Sequence, residues 1–510
     1  MDKYMELYFG WDYYNYSQQQ DISKVIKEKF PDFRPDLTYP NDSDTLPLFN
    51  DDYMVTNPWH QLTGILTEHT DVETVHRDST ELIEKEIPFI YLIGIRSGPQ
   101  YWGKDDRNNL FFNIKQNTKN YIKSGKVLVI VDMSGEGYPV ENVDPLTITE
   151  TGNIPIDIPL EIEKYANIEN FPVTNVCYLT GNANAPNYTE SKINIIYLCN
   201  SEMSMKKSVL GIGYNMKTST NTIVKVTSDW ISNSFNKALQ YRKDNIENPN
   251  TKHFLSLCKL VKDSRLYHSL GLNYYNLHDK ALASLMLSES ELQIDQESDD
   301  FNDPTDEDAY DFNKGLSTNP LMEDYIDTII LKTRLLGSDD FGMLIKSRNN
   351  IRNLLEKLPM YIDRKSLKGI SGFTVWDDSF YKDTFFSYLY ESYAYNNKTI
   401  YLSEKFWKTV INFHPTLLVT NPHALRYLKN RGYKTFYPFI DESYDEEEDF
   451  DARSKMLLSE VYKLCQMSKI DLLSWYESQS DILMYNYKKY LLDDPISESV
   501  NKIKKLYTLL

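Results

Sequence analysis

Two stretches of this chain, "IPFIYLIGIRSG" (residues 87–98) and "KVLVIVDMSGEGYP" (126–139), are apolar without alternation and then break into polar residues and glycine. A strand with one solvated face alternates apolar and polar side chains. A run that is apolar at successive positions is buried on both faces, as in a parallel sheet covered by crossover helices. Between the two runs, "RNNLFFNIKQNTKNYIKSG" has helical spacing and ends at Gly125. "VTNVCYLTGNANAPNY" (173–188) and "KINIIYLCN" (192–200) supply a third and a fourth strand. "KHFLSLCKLVKDSRLYHSLGLNYYNLHDKALASLM" (252–286) then restarts the cycle as strand, helix to about Tyr275, and strand. Buried strands alternating with helices predict an α/β fold.

At roughly 100–200 residues per domain, a chain of 510 residues makes two to four domains. The restart places a boundary in "RKDNIENPNT", so 81–248 form one unit and 249–450 a second. Residues 1–80, rich in Tyr and Asp with weak periodicity, are expected to be an irregular extension that wraps a core. Residues 451–510 have helical spacing and predict a tail of two or three helices, able to pack back across both units. The acidic "SESELQIDQESDDFNDPTDEDAYDF" (288–312) reads as a solvated insertion. It lacks the Gly and closing Glu of an EF-hand loop.

Net charge is −19, which repels nucleic acid and anionic membrane at long range but leaves room for a local basic face such as "KSRNNIRNLLEK" (346–357). The four cysteines, Cys177, Cys199, Cys258 and Cys465, form no CxxC pair, and His60, His69 and His76 match no zinc spacing, so no metal site is expected. No window approaches 18 consecutive apolar residues and the start has no signal-peptide core. These features point to a reducing, cytoplasmic setting without a membrane span. The 39 tyrosines suit half-polar clefts, and equally a chain-wide compositional bias.

"TIYLSEKFWKTVINFHPTLLVTNPHALRYLKNRGYKTF" (399–436) reads as β-α-β-α-β. Ser403 is the N-cap of the first helix and Glu404 sits in its first turn; Asn421 and Pro422 open the second, and Gly432 closes it. "TIYL" and "YKTF" are the flanking strands. Ligands of open α/β sheets bind past the carboxyl ends of strands, and free N–H groups at a helix start suit a phosphate. Lys405 and Lys408 add positive charge there, and Glu404 can accept from a ribose diol. An ordinary capped helix is the plainer reading of the same residues.

The pattern S-E-K-F-W-K, then H-P, "LRYLKNRGYKTF" and "FIDESYD", over 384–445, resembles an uncharacterised family of large phages and other viruses. "FFSYLYES" (385–392) resembles that family's segment ending in Glu-Thr, with Ser392 in place of Thr. The Ser-Glu-Lys junction is itself similar to the donor-binding half of fucosyltransferase-like glycosyltransferases. What the resemblance implies is two Rossmann-like domains facing a cleft (GT-B), with a nucleotide-sugar donor bound by the second domain and no metal or other cofactor. Two departures stand out. Ser264 stands where the family has His and Cys258 where it has Asn, while Arg265 keeps its place. Thr409 replaces a frequent Pro.

On that basis the donor site comprises Ser403, Glu404, Lys405, Lys408, Arg265 and Glu391. Lys405, Lys408 and Arg265 would meet the leaving diphosphate, and Glu404 and Glu391 the hydroxyls. The acceptor needs a base from the first domain: Glu136 or Asp132 in "VDMSGEGYP", with Arg96 and Asn182 as further loop candidates. "DESYDEEEDFDAR" (441–453) is a solvated connection, or else Asp441 and Glu442 line the cleft. Three functions remain: a glycosyltransferase acting on a phage DNA base, a glycan or a protein; a non-enzymatic virion or assembly protein on the same fold; and a nucleotide-binding regulator.

Overall fold

The computed structural model describes residues 5–12, 14–15, 20–21, 66, 72–94, 111, 114–134, 157–199, 202, 205–206, 227–258, 263–285, 287, 316, 319–334, 336–358, 360, 378–392, 394, 399–494 and 496–510. The chain is a mixed α/β fold built on two parallel sheets. The acidic segment 288–312 lies outside the described residues.

The first sheet holds β1 (Met5–Trp11), β2 (Val72–Asp78), β3 (Phe89–Gly94), β4 (Val127–Met133), β5 (Val176–Thr180) and β6 (Asn194–Tyr197). Their order is β2-β1-β3-β4-β5-β6, every pair parallel. The apolar runs are explained by burial on both faces. Phe89, Tyr91, Val127, Val129 and Val131 pack under helices α1 (Gln116–Lys123) and α2 (Ile158–Ile168), while Ile90, Leu92, Leu128 and Ile130 fill the opposite face.

Residues 5–12 and 72–78 are therefore not an irregular extension. β1 pairs with β2 and β3, and its Leu7 and Phe9 are buried while Glu6 is exposed. Gly10 is required here: a Cβ at that position would stand 2.5 Å from the Phe89 ring. The short strand was masked by the Tyr- and Asp-rich residues that follow it.

The second sheet holds β7 (Phe254–Cys258), β8 (Ala281–Leu285), β9 (Phe386–Tyr390) and β10 (Thr416–Val419), in the order β8-β7-β9-β10, again all parallel. Its core extends past the expected boundary. Helix α3 (Ser228–Asp244), assigned from sequence to the first unit, packs Ile231, Phe235 and Leu239 with Phe254 and Leu417 of the second. Arg242, 1% exposed, donates to the Thr384 and Tyr381 carbonyls at 3.0 and 2.7 Å and lies over the Tyr476 ring. β7 leads into α4 (Asp263–Tyr274).

Helices α5 (Met322–Lys332) and α6 (Arg348–Glu356) face each other through ion pairs: Arg348 with Glu323 and Asp327, and Arg352 with Glu323. The basic face expected over 346–357 is thus matched by acids on α5. Lys346 donates to the Leu336 carbonyl and Lys357 to Asn273, which removes two more cations from it.

Helices α7 (Glu404–Ile411) and α8 (Ala424–Asn430) flank β10 as the capping pattern implied, but neither "TIYL" nor "YKTF" is a strand. Ile400 exchanges hydrogen bonds with the first half instead, its N–H to Asn182 at 3.2 Å and its carbonyl from Ala183 at 2.8 Å. Lys434 has its N–H and carbonyl taken by the Asn486 amide at 2.9 and 2.7 Å, which does the work of a neighbouring strand. Asn421 does not cap α8. His423 takes the cap position with φ 71°, and Asp445 accepts the Leu425 and Arg426 N–H groups, both at 2.9 Å.

The tail forms four helices, α9 (Phe450–Cys465), α10 (Lys469–Glu477), α11 (Ser480–Leu492) and α12 (Ser497–Tyr507). The first three complete the second core. α12 crosses back to the first sheet, where Val500 and Ile503 pack with Leu7, Ile90 and Leu128, and Tyr507 donates to the Pro88 carbonyl at 2.8 Å. The halves are also joined by charge. Arg431 makes two parallel hydrogen bonds to Glu202, each 2.8 Å, and a third to Asp493 at 2.9 Å, among the rings of Trp407, Tyr427 and Tyr433. All four cysteines are free and buried, and among the described residues no helix is long and apolar enough to cross a membrane.

Ile503→Ala should cost about 2–5 kcal/mol in urea unfolding, as a core truncation does; a loss below about 1 kcal/mol would show that α12 does not complete the first core. A second expectation concerns acid. Burial holds His278 down at about 4 and His268 at about 3, from an ordinary 6.5. Buried His414 is also held well below that value. Each is depressed in the folded state, so its contribution is present above 6.5 and is lost as pH falls towards the folded value. Urea midpoints should drop between about pH 7 and about pH 4.5, and less steeply in His278→Gln.

Candidate functional site

The second sheet reverses its winding between β7 and β9. Such a reversal opens a crevice at the carboxyl ends of the strands, where ligands of parallel sheets bind. Glu391 is the first residue past β9. Its N–H still reaches the Val419 carbonyl of β10 at 3.0 Å, so the sheet ladder fixes it at the strand end. The side chain is 1% exposed. Oε1 accepts the Ser403 N–H at 3.1 Å, and among the described residues Oε2 has no hydrogen-bond partner.

Arg265 comes from the first turn of α4. Its guanidinium donates to the Glu391 carbonyl at 3.3 Å, across a separation of 126 residues. Arg265 therefore lies beside Glu391 at the strand ends, whereas Cys258 ends β7 as a buried residue of the apolar core. Ser264 is buried at the start of α4.

Helix α7 starts where the sequence placed it. Ser403 has an extended backbone and its Oγ accepts the Lys405 N–H at 3.3 Å. Lys405 Nζ lies 3.0 Å from Glu404 Oε1 and 3.4 Å from Ser403 Oγ. Lys408 follows one turn on. Trp407, wholly buried, stacks on Tyr490 at 5.1 Å and anchors the helix. The Thr409 side chain is buried and donates to the Phe406 carbonyl at 2.7 Å, inside the helix.

The two carboxyls respond oppositely to this setting. Burial would raise Glu404, but the ammoniums of Lys405 and Lys408 outweigh it and hold the carboxyl below its usual range. For Glu391 burial dominates. With the Glu404 charge added, and against Lys405 and the Ser403 hydrogen bonds, it is pushed up to about 7.

The start of α7 is not an open phosphate cradle, contrary to expectation. Ser403 takes the Lys405 N–H on its side chain and the Phe406 N–H on its carbonyl at 3.2 Å, and its own N–H goes to Glu391. The polar surface offered is made of side chains.

Ser403, Glu404, Lys405, Glu391 and Arg265 thus form one connected group, with Lys408 acting on Glu404 by charge. Asp132 is elsewhere, at the end of β4 in the first sheet, 2% exposed, with Oδ1 accepting the Ser134 N–H at 2.8 Å. Glu136 and Arg96 lie outside the described residues. Asn182 joins the halves through Ile400. Segment 441–453 is not simply a solvated connection. Glu442, 7% exposed, accepts the Phe436 and Tyr437 N–H groups and the Thr435 hydroxyl, so it braces its own loop. Asp441 accepts from Ser443 at 3.0 and 2.6 Å on the exposed side of that loop.

Sequence reasoning missed Asp12, just past β1 at the reversal of the first sheet. It accepts the Lys115 N–H and the Thr118 hydroxyl, both at 3.0 Å, and its pKa is raised by burial. The signal was a lone Asp closing a short apolar run. An apolar pocket between α7, β10 and α8, lined by Phe406, Val410, Leu418, Leu428, Tyr433 and Phe436, contains none of the six donor-site residues. Among the described residues no His, Cys, Asp and Glu cluster could hold a metal ion.

Ser403→Ala should cost about 1 kcal/mol in chemical unfolding through loss of the cap, and Ser403→Asn should recover most of it. Equal losses in both would show that the hydroxyl's cap bond is not what matters. No protein-family model matches this chain, nor does any curated protein or solved structure.

Proposed function

We propose that the protein is a glycosyltransferase that takes a sugar from a nucleotide-sugar donor, with two Rossmann-like domains facing a cleft and the donor held by the second. The observation that carries this reading is the convergence of Arg265, Glu391, Ser403, Glu404 and Lys405 at the winding reversal of the second sheet. These residues come from three separate segments, and this is where the fold class places ligands. Ionised Glu404 accepts from ribose or sugar hydroxyls. Lys405, Lys408 and Arg265 meet the negative charge that grows on the departing diphosphate, so no metal is required for that role. The base that deprotonates the acceptor comes from the first half, from Asp132 or Glu136. The acceptor is a DNA base, a glycan or a protein; the ion-paired Arg348 and Arg352 offer little to a DNA backbone.

The second reading is a non-enzymatic virion or assembly protein on the same fold. It is favoured by the internally satisfied start of α7 and by the Arg265 guanidinium lying on a backbone carbonyl.

Thermal unfolding against UDP-, GDP-, TDP- and CMP-sugars, without added metal, separates the two. A ligand at a hundred times its dissociation constant adds about 2.7 kcal/mol of stability. One nucleotide class should raise the melting temperature, and the double variant Glu404→Ala/Lys405→Ala should abolish the shift. No shift with any class would favour the assembly reading.

A further inference from the structure

Glu391 has one oxygen engaged and one idle. Oε1 accepts the Ser403 N–H, which fixes it as the carbonyl-like oxygen of a protonated acid, and a proton on the group then sits on Oε2. Oε2 is buried and has no hydrogen-bond partner among the described residues. A buried donor without an acceptor is costly, and a ligand atom that accepts its proton relieves that cost.

Among the described residues the charged groups around it are few. From α7 come Lys405 and Glu404, from α4 the Arg265 guanidinium on the Glu391 carbonyl, and from β10 only the neutral Val419 carbonyl. On its own strand, the Tyr390 hydroxyl accepts from Ser256 at 3.5 Å. The Lys405 and Glu404 side chains of the same group are 31% and 13% exposed.

We infer that Glu391 and Glu404 divide the work of the site, Glu391 donating a hydrogen bond from Oε2 to an anionic oxygen and Glu404 accepting from a hydroxyl, so that a nucleoside diphosphate binds best to the form in which Glu391 carries its proton. This rests on the nucleotide-sugar reading and deepens it. The environments that push the two carboxyls apart support it: one is held ionised, the other is pushed up to about 7. Once Glu391 ionises, a second carboxylate stands beside Glu404 and faces the phosphate, and both repulsions oppose binding.

The test is titration calorimetry of the full chain with UDP and GDP, without metal, from about pH 5.5 to about pH 8.5. Affinity of the preferred nucleotide should fall roughly tenfold per pH unit above neutrality. Glu391→Gln keeps an acceptor for Ser403 and an N–H in place of the acid proton, and its affinity should lose that fall. The variant also controls for titration of the ligand's own phosphate. If the variant fails to fold, the wild-type protein at about pH 8 should take up close to one proton per ligand when the buffer's ionisation enthalpy is varied. Affinity that is flat or rises with pH, or binding without proton uptake, would overturn the divided roles and leave the nucleotide reading standing. No heat with either nucleotide at any pH, from protein shown to be folded, would overturn the divided roles, and together with no melting shift for any of the four nucleotide-sugar classes would remove the nucleotide reading as well.

Discussion

The bidentate pair of Arg431 with Glu202 is the interaction on which the arrangement of the two halves depends. A charged group taken out of water is tolerated only when it is matched in geometry, and here the guanidinium fork meets both Glu202 oxygens while Asp493 takes a further N–H. Glu202 lies just past the last strand of the first sheet, and Arg431 ends α8 in the second. Closing this pair fixes how β6 approaches α8 and α11. Smaller contacts then fall into line: the Tyr197 and Tyr427 hydroxyls at 3.1 Å, Tyr490 to the Glu202 carbonyl at 2.8 Å, and Ile400 with Asn182. The segment 399–402, which leads directly into Ser403, is held between the halves by these contacts. The position of the candidate site therefore depends on a charge cluster outside it.

Tyrosine is what makes such a contact workable. Its ring packs like a core residue and its hydroxyl reaches a carbonyl that would otherwise be stranded. Tyr476 donates to Phe413 at 3.0 Å and Tyr507 to Pro88 at 2.8 Å in the same way. Compositional bias and structural use are compatible in this chain. In these contacts an abundant residue joins two layers and satisfies a carbonyl at each.

What the sequence disclosed follows from the range of the forces involved. Runs such as Val127–Met133 were legible because burial on both faces writes itself into every position. The Ser403 cap and Gly432, with φ 84°, were legible because capping is a matter of a few neighbouring residues. "TIYL" and "YKTF" were misread because β-propensity is local and the choice of partner is not. Nothing near Lys434 announces that Asn486 will satisfy its backbone. At the site, Glu404 and Lys405 could be picked out by position in a helix turn. Glu391 came from the resemblance alone, and its idle oxygen is a property of burial that only the packed chain creates. The membership of α3 and α12 was hidden for a similar reason. An amphipathic helix shows that it needs a partner without showing which one.

That exchange of helices has a consequence for synthesis. The strands of the first sheet leave the ribosome early, with an apolar face on which α12 packs, and α12 is made only when the chain reaches residue 507. α3, translated with the first half, must in turn wait for β9 and β10 before its own apolar side is enclosed. Neither of these two apolar faces is completed until later residues have been made. Until then the part of the first sheet that α12 covers stays open, an apolar surface of the kind that holdase chaperones engage and that drives premature association between neighbouring chains on one message.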